Sequence, residues 1–141
     1  MERLTTSQKT TYLLEAGLEV LHAQSNEWLN EIEFWKDESV FFYQLIVNKT
    51  SAFVPVIAKD HIEKIENELI KITGGDLDDL KKEVVQHEVF LNDLLESKYL
   101  SEESYRKRHE LLTFSILKFE RRLKELKNEI FKLVKQIDRS K

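Results

Sequence analysis

The chain has 141 residues, 41% of them hydrophobic and 34% charged, with a formal net charge of −4. This length and composition predict a single domain, residues 1–141, that buries a core of its own. The absence of cysteine excludes disulfides and thiolate metal sites. The longest uncharged run, 39–48, is far shorter than the roughly 20 residues of a membrane helix. With no secretory signal visible, we expect a cytoplasmic protein that does not enter a membrane.

The first predicted helix covers about residues 7–48. Its apolar positions recur every four and three residues, the heptad pattern of a helix packed lengthwise on other helices. This row comprises Leu14, Leu18, Leu21, Ser25, Trp28, Ile32, Trp35, Ser39, Phe42 and Ile46. The segment 40–47 is apolar on almost every side, so we expect other helices or a second subunit to cover it.

The second predicted helix covers about residues 55–97. The polar residues 48–51 interrupt the first helix, and Pro55 suits the first turn of the next one. Its apolar row comprises Ala58, Ile62, Ile65, Leu69, Ile72, Leu77, Leu80, Val84, His87, Leu91 and Leu94.

Gly74 and Gly75 interrupt this second helix and leave two architectures open. Two glycines within a helix cost about 2 kcal/mol relative to alanine, and Asp76 is a good N-cap, so the chain could reverse here into a four-helix up-and-down bundle. Alternatively, the apolar row continues through Thr73 to Leu77, and the glycines only kink or break one long helix. The helices would then be of nearly equal length, each close to 60 Å. The residues alone leave these two all-α architectures close to even.

The third predicted helix covers about residues 101–139, with Ser101 as its N-cap and acidic residues in its first turn. It contains a second stretch, 111–119, that is apolar nearly all round. Residues 105–141 carry a charge of +7 and the remainder −11. We interpret this asymmetry as charge matching between helices of one bundle and predict no nucleic-acid binding.

Several short motifs resemble a group of small, uncharacterised, all-helical bacterial proteins. They are Glu-Trp-Leu-Asn-Glu at 27–31 with Phe34 and Lys-Asp-Glu at 36–38, Asp-His at 60–61, Asp-Asp-Leu-Lys at 78–81, and His109, Phe119, Glu120, Leu123, Leu126 and Glu129. The resemblance implies three long helices and no assigned activity. Together with the continuous apolar row and the matched helix lengths, it favours an all-α, up-and-down antiparallel bundle of three long helices. The relatives have no double glycine, so the residues around Gly74 depart from their pattern.

The histidines are the candidates for a metal site. His87 and His109 occupy the apolar rows about ten residues either side of the turn near Tyr99, which predicts that they lie in one layer. His61 would join them in the four-helix bundle, and His22 would be the nearest third imidazole in the three-helix bundle. Three imidazoles can bind zinc or iron. Histidines of the apolar rows that form hydrogen bonds with neighbouring side chains are the simpler interpretation.

No motif nominates catalytic residues or a cofactor, and we predict that the chain is not an enzyme. The long apolar rows and the segments that are apolar all round favour a helical bundle that acts through protein–protein contacts or self-association, such as a homodimer. A metal-binding bundle that uses the histidines is the alternative.

Overall fold

A computed structural model of the protein describes residues 17–51, 58–96 and 100–140. These residues form three long helices, with no strand among them. Helix α1 is Leu18–Ser51. Helix α2, residues 59–96, consists of the α-helical parts Lys59–Lys71 and Leu77–Glu96 joined by the π-helical turn Ile72–Asp76. Helix α3 is Glu102–Ser140.

Ion pairs on the surface show how the helices run. Lys36 pairs with Asp78 at 3.5 Å and Glu33 with Lys81 at 2.9 Å, so α1 and α2 are antiparallel. Glu38 pairs with Lys127 at 2.7 Å and Lys49 with Asp138 at 2.9 Å, so α1 and α3 are parallel. This is the predicted up-and-down bundle of three helices.

The buried core follows the predicted apolar rows of all three helices. Its largest members with almost no exposed surface include Ile32, Ile46, Ile65, Leu69, Ile72, Leu77, Tyr105, Ile130, Leu133 and Ile137. Two serines also lie in this core, and Ser25 donates its hydroxyl to the Leu21 carbonyl at 3.2 Å. One continuous apolar stripe on each helix therefore supplies the core, as in other lengthwise helical packings.

The four-helix alternative is wrong, because Gly74 and Gly75 lie inside α2 and the chain does not reverse there. No described residue has a positive φ, and the Leu77 N–H donates to the Ile72 carbonyl five residues back. The wide π turn accommodates one additional residue. Ile72 and Leu77, five residues apart, therefore both point into the core.

The prediction that the apolar row of α2 passes through Thr73 is also wrong. Ile72 is fully buried, whereas Thr73 is only partly buried and donates its hydroxyl to the Leu69 carbonyl at 2.9 Å. The Leu69 carbonyl also accepts from the Ile72 N–H, and it lies just before the π turn, where the regular helical hydrogen-bonding pattern changes.

Asp76 does not serve as the predicted N-cap, because no new helix begins there. Its carboxylate instead lies 2.8 Å from Arg122 Nη1, and Glu68 lies 2.6 Å from Arg122 Nη2. Glu68 precedes the π turn and Asp76 is its last residue. Arg122 of α3 therefore bridges both sides of the turn and holds it against the bundle.

The other helix ends agree with the sequence at one place and differ at another. Ser101 Oγ accepts a hydrogen bond from the Ser104 N–H at 3.2 Å, which confirms the predicted cap of α3. Helix α1 continues to Ser51 rather than ending at 48, and Thr50 Oγ1 donates to the Ile46 carbonyl at 2.8 Å. Pro55, Leu14 and the rest of segment 7–16 lie outside the described residues.

Candidate functional site: a buried histidine pair

His87 of α2 and His109 of α3 meet inside the bundle. His87 Nε2 lies 2.9 Å from His109 Nδ1, and His109 Nε2 lies 2.7 Å from Gln24 Oε1 of α1. With the Gln24 carbonyl facing it, His109 carries its proton on Nε2 and accepts from His87 on Nδ1. One hydrogen-bonded chain thus crosses all three helices, and it leaves His87 Nδ1 as an acceptor.

Aromatic rings enclose this pair. The indole of Trp28 stacks on His109 with ring centres 4.7 Å apart, and Tyr105 lies parallel to His87 with centres 4.4 Å apart. The side chain of His87 is only 2% exposed. Neither His87 Nδ1 nor the Tyr105 hydroxyl has a hydrogen-bond partner among the described residues. The layer is therefore tightly packed but incompletely satisfied.

The surroundings favour the uncharged forms of these side chains. Burial, His109 and Arg108 lower the pKa of His87 to about 4. Burial and Arg106 also lower the pKa of His109. Burial and the nearby Glu88 raise the pKa of Tyr105 to about 12. At neutral pH both histidines are uncharged, which is the state that the hydrogen-bonded chain requires.

The other two histidines are not part of the pair. His22 Nδ1 is in contact with Glu88 Oε2, and His22 Nε2 lies 3.3 Å from the Asn26 amide nitrogen. Glu88 follows His87 directly, so His22 lies at the same end of the bundle, as predicted for three helices. His61 lies 26 residues before His87 along α2, about 39 Å away at 1.5 Å per residue.

The geometry of the pair differs from that of a metal centre. Two nitrogens bound to one zinc ion at about 2.0–2.1 Å lie about 3.3 Å apart for tetrahedral angles, and both direct a lone pair at the metal. His87 and His109 instead share a proton in a hydrogen bond. Within the described parts of the chain, no group of three or more histidine, aspartate or glutamate side chains is arranged to hold a metal ion.

Comparisons with protein-family models, with curated proteins and with solved structures gave no match to this chain. Among the helices that the structure describes, none combines the length and the apolar content needed to cross a membrane.

The spacing of the sequence predicts His87 and His109 in one layer, but it does not identify Gln24 as the partner of His109. Gln24 lies beside the apolar row of α1, four residues before Trp28. Its position predicts a boundary side chain, and only the pairing of α1 with α3 shows that it reaches His109. The relevant signal is the register between two helices, which a single sequence does not contain.

The outer surface of the bundle carries many large apolar side chains. The exposed members with relative exposure above half are Val20, Phe34, Phe41, Val89, Leu95, Leu111, Phe114, Leu117 and Phe131. Four of them belong to the two segments, 40–47 and 111–119, that are apolar nearly all round. One side of each segment is covered by the bundle, and the other side faces outward.

Proposed function

We propose that this chain is a non-enzymatic helical bundle that acts through contacts with another protein chain. The observation that carries the proposal is the exposure of large aromatic side chains on helix surfaces, with Phe34 at 62% and Phe41 at 59%. Clustered apolar side chains on the outside of a folded domain commonly mark an interaction site. Aromatic residues in particular are enriched in the cores of protein interfaces.

The state of the histidine pair favours a structural role over chemistry. A general base needs a free lone pair within reach of a substrate and a pKa near the working pH. The pKa of His87 is about 4, and its Nε2 is engaged with His109. A hydrogen-bonded polar layer that joins all three helices can instead fix their register.

The proposal extends to a relationship with small bacterial helical proteins and to a cytoplasmic location. The motifs at 27–31 and 78–81 support a relationship to the small bacterial helical proteins that they resemble, in which three helices also occur. A cytoplasmic location is consistent with a fold that uses no disulfide.

The test is the mass of the native particle in an extract of the source cells. The proposal predicts that the chain, detected by antibody after gentle separation, migrates above 16.8 kDa and is cross-linked to a protein by a photoreactive amino acid at Phe34. A particle of one chain alone, with no protein cross-linked at this position, would refute it.

A further inference from the structure

One face of the bundle, formed by α1 and α3, carries two parallel rows of side chains. In the pairs Glu38–Lys127 and Lys49–Asp138, the number of the α3 residue exceeds that of the α1 residue by 89. In the buried contacts Trp35–Phe119 and Gln24–His109 the difference is 84 and 85, so residues of equal height along the groove differ by about 84 to 89 in number. We call the surface on either side of this groove the α1/α3 face.

The rows that border the groove are rich in exposed apolar side chains. On α1, Val20, Phe34 and Phe41 recur at multiples of seven residues, and on α3, Leu117 and Phe131 do the same. Phe41 and Phe131 both contact Phe42, with ring centres 5.6 and 5.8 Å apart. The two rows therefore belong to one continuous surface.

The charges on the α1/α3 face are divided between its two helices. On α1, Glu27, Glu31 and Asp37 are exposed, and on α3, Arg121 and Lys124 are exposed. None of these five makes an ion pair within the described residues. By the same register, Arg121 and Lys124 lie at the heights of residues 32–37 and 35–40 of α1. Over this length the exposed charges without an ion pair among the described residues are acidic on α1, and on α3 they are basic apart from Glu120.

Glu31 lacks a compensating cation among the described residues. Burial together with Glu120 and Glu27 raises the pKa of Glu31. The helix carrying Glu120 thus brings a like charge toward Glu31 across the groove. Cations supplied by another molecule would relieve this repulsion.

We propose that two copies of this chain associate side by side through the α1/α3 face, so that α1 of each copy packs over α3 of the other. The two-fold axis runs parallel to the helices and lies over the groove. The contact is isologous and closes as a dimer. This inference rests on the proposed function and names both the surface and the partner.

The direction of the axis follows from the charges. A two-fold axis across the helices would lay the acidic side of α1 on its own copy and the basic side of α3 on its own copy. An axis along the helices instead places Glu31 on the same side of the contact as Lys124 of the second copy, about 6 to 14 Å apart in height at 1.5 Å per residue. Opposite charges then face each other on both sides of the contact.

The size of the face suits a stable dimer. From residue 20 to residue 48, α1 extends about 42 Å, and two neighbouring helices are together about 20 Å wide. The surface of about 800 Å² on each copy matches that of a standard specific interface. Phe34 and Leu117, at 62% and 53% exposure, are placed to become buried near its middle.

The first test is the mass of the purified full chain by sedimentation at concentrations up to about 100 µM. We expect a dimer, and we expect Phe34→Glu to weaken it at least about tenfold, since a charge would enter the centre of the contact. Val89→Glu on α2, an apolar position outside the face that is 52% exposed against 62% for Phe34, is the matched control. Circular dichroism verifies that each variant stays folded.

Charge reversal tests the proposed orientation. Glu31→Lys weakens the dimer, and so does Lys124→Glu, while the chain with both changes regains it. In addition, a Phe34→Cys chain mixed with a Lys124→Cys chain forms a disulfide between the two chains under mild oxidation. The position of this disulfide is unambiguous because the natural chain has no cysteine. A Val89→Cys chain mixed with the Lys124→Cys chain remains unlinked.

A purified chain that stays monomeric at every concentration overturns the inference. A dimer that tolerates Phe34→Glu, or one whose double charge reversal does not recover, overturns it as well. If the purified chain is monomeric but the particle in the extract is larger and contains another protein, the inference fails and the proposed function stands. If both are single chains, both fail.

Discussion

Replacing the two central glycines with alanine tests whether α2 is one helix. Gly74 and Gly75 have φ values below zero, and a Cβ built on either would meet no atom within 4 Å. Alanine therefore fits both positions without strain and restricts the unfolded chain more than glycine does. We expect each substitution to stabilise the protein by about 0.5–1 kcal/mol, and the double variant by about 1–2 kcal/mol.

The expected stabilisation corresponds to a rise in melting temperature of about 3 °C for each kcal/mol in a chain of this size. Thermal and urea unfolding followed by helical circular dichroism measure it, at one fixed protein concentration. Gly75→Pro is the opposing control, because proline within a helix costs about 3 kcal/mol or more. If alanine lowers stability by more than about 1 kcal/mol while proline is tolerated, the glycines form a turn and the architecture is wrong.

Three further predictions concern the π turn and the histidine pair. Deletion of Gly75 should preserve the fold because it shortens the spacing between Ile72 and Leu77 in the apolar row from five residues to four. Deletion of Lys82, within a regular part of α2, should melt the helix. An equal loss of circular dichroism signal in the two variants would contradict this. The pKa of His87 is about 4 in the folded protein, and its ordinary value is 6.5. The contribution of the neutral His87 to the free energy of unfolding is therefore complete above pH 6.5. It declines as pH falls, with a loss of about 3 kcal/mol by pH 4. Urea unfolding across this range should show a shallower decline when His87 and His109 are both leucine, and an unchanged slope would argue against the neutral pair. Zinc and a chelator should leave the melting temperature unchanged, and a chelator-sensitive shift that depends on His109 would instead support a metal site.

The apolar rows predicted most of the fold because they reflect a physical period. A helix packed along its length must place apolar residues every three to four positions. The rows through Trp28, Leu91 and Leu123 therefore predicted which side of each helix faces the core of the bundle. Matched helix lengths, the continuous apolar row and the resemblance to three-helix proteins then favoured three helices, which the structure confirms.

The sequence did not predict how α2 passes its two glycines. Local preference predicted a turn because glycine and the following acidic residues are typical of helix ends. Burial of Ile72 and Leu77 together outweighs that preference, and the π turn is the geometry that allows both to be buried. Contacts between Arg122 and residues on either side of the turn add to this outcome. Such long-range contacts leave no local signal in the sequence.

The histidine layer was predicted in position but not in bonding. Distance from the turn near Tyr99 placed His87 and His109 at one height. The direction of their hydrogen bonds depends on Gln24 and on ring orientation, which are set by the packing of Trp28 and Tyr105.

Small-angle X-ray scattering with mass determination tests most directly whether this bundle associates through its α1/α3 face. The wild-type chain should have about twice the mass of 16.8 kDa, with a wider cross-section than the Phe34→Glu variant and nearly the same length. A wild-type particle of one chain, or a dimer of about twice the length with an unchanged cross-section, would contradict the account.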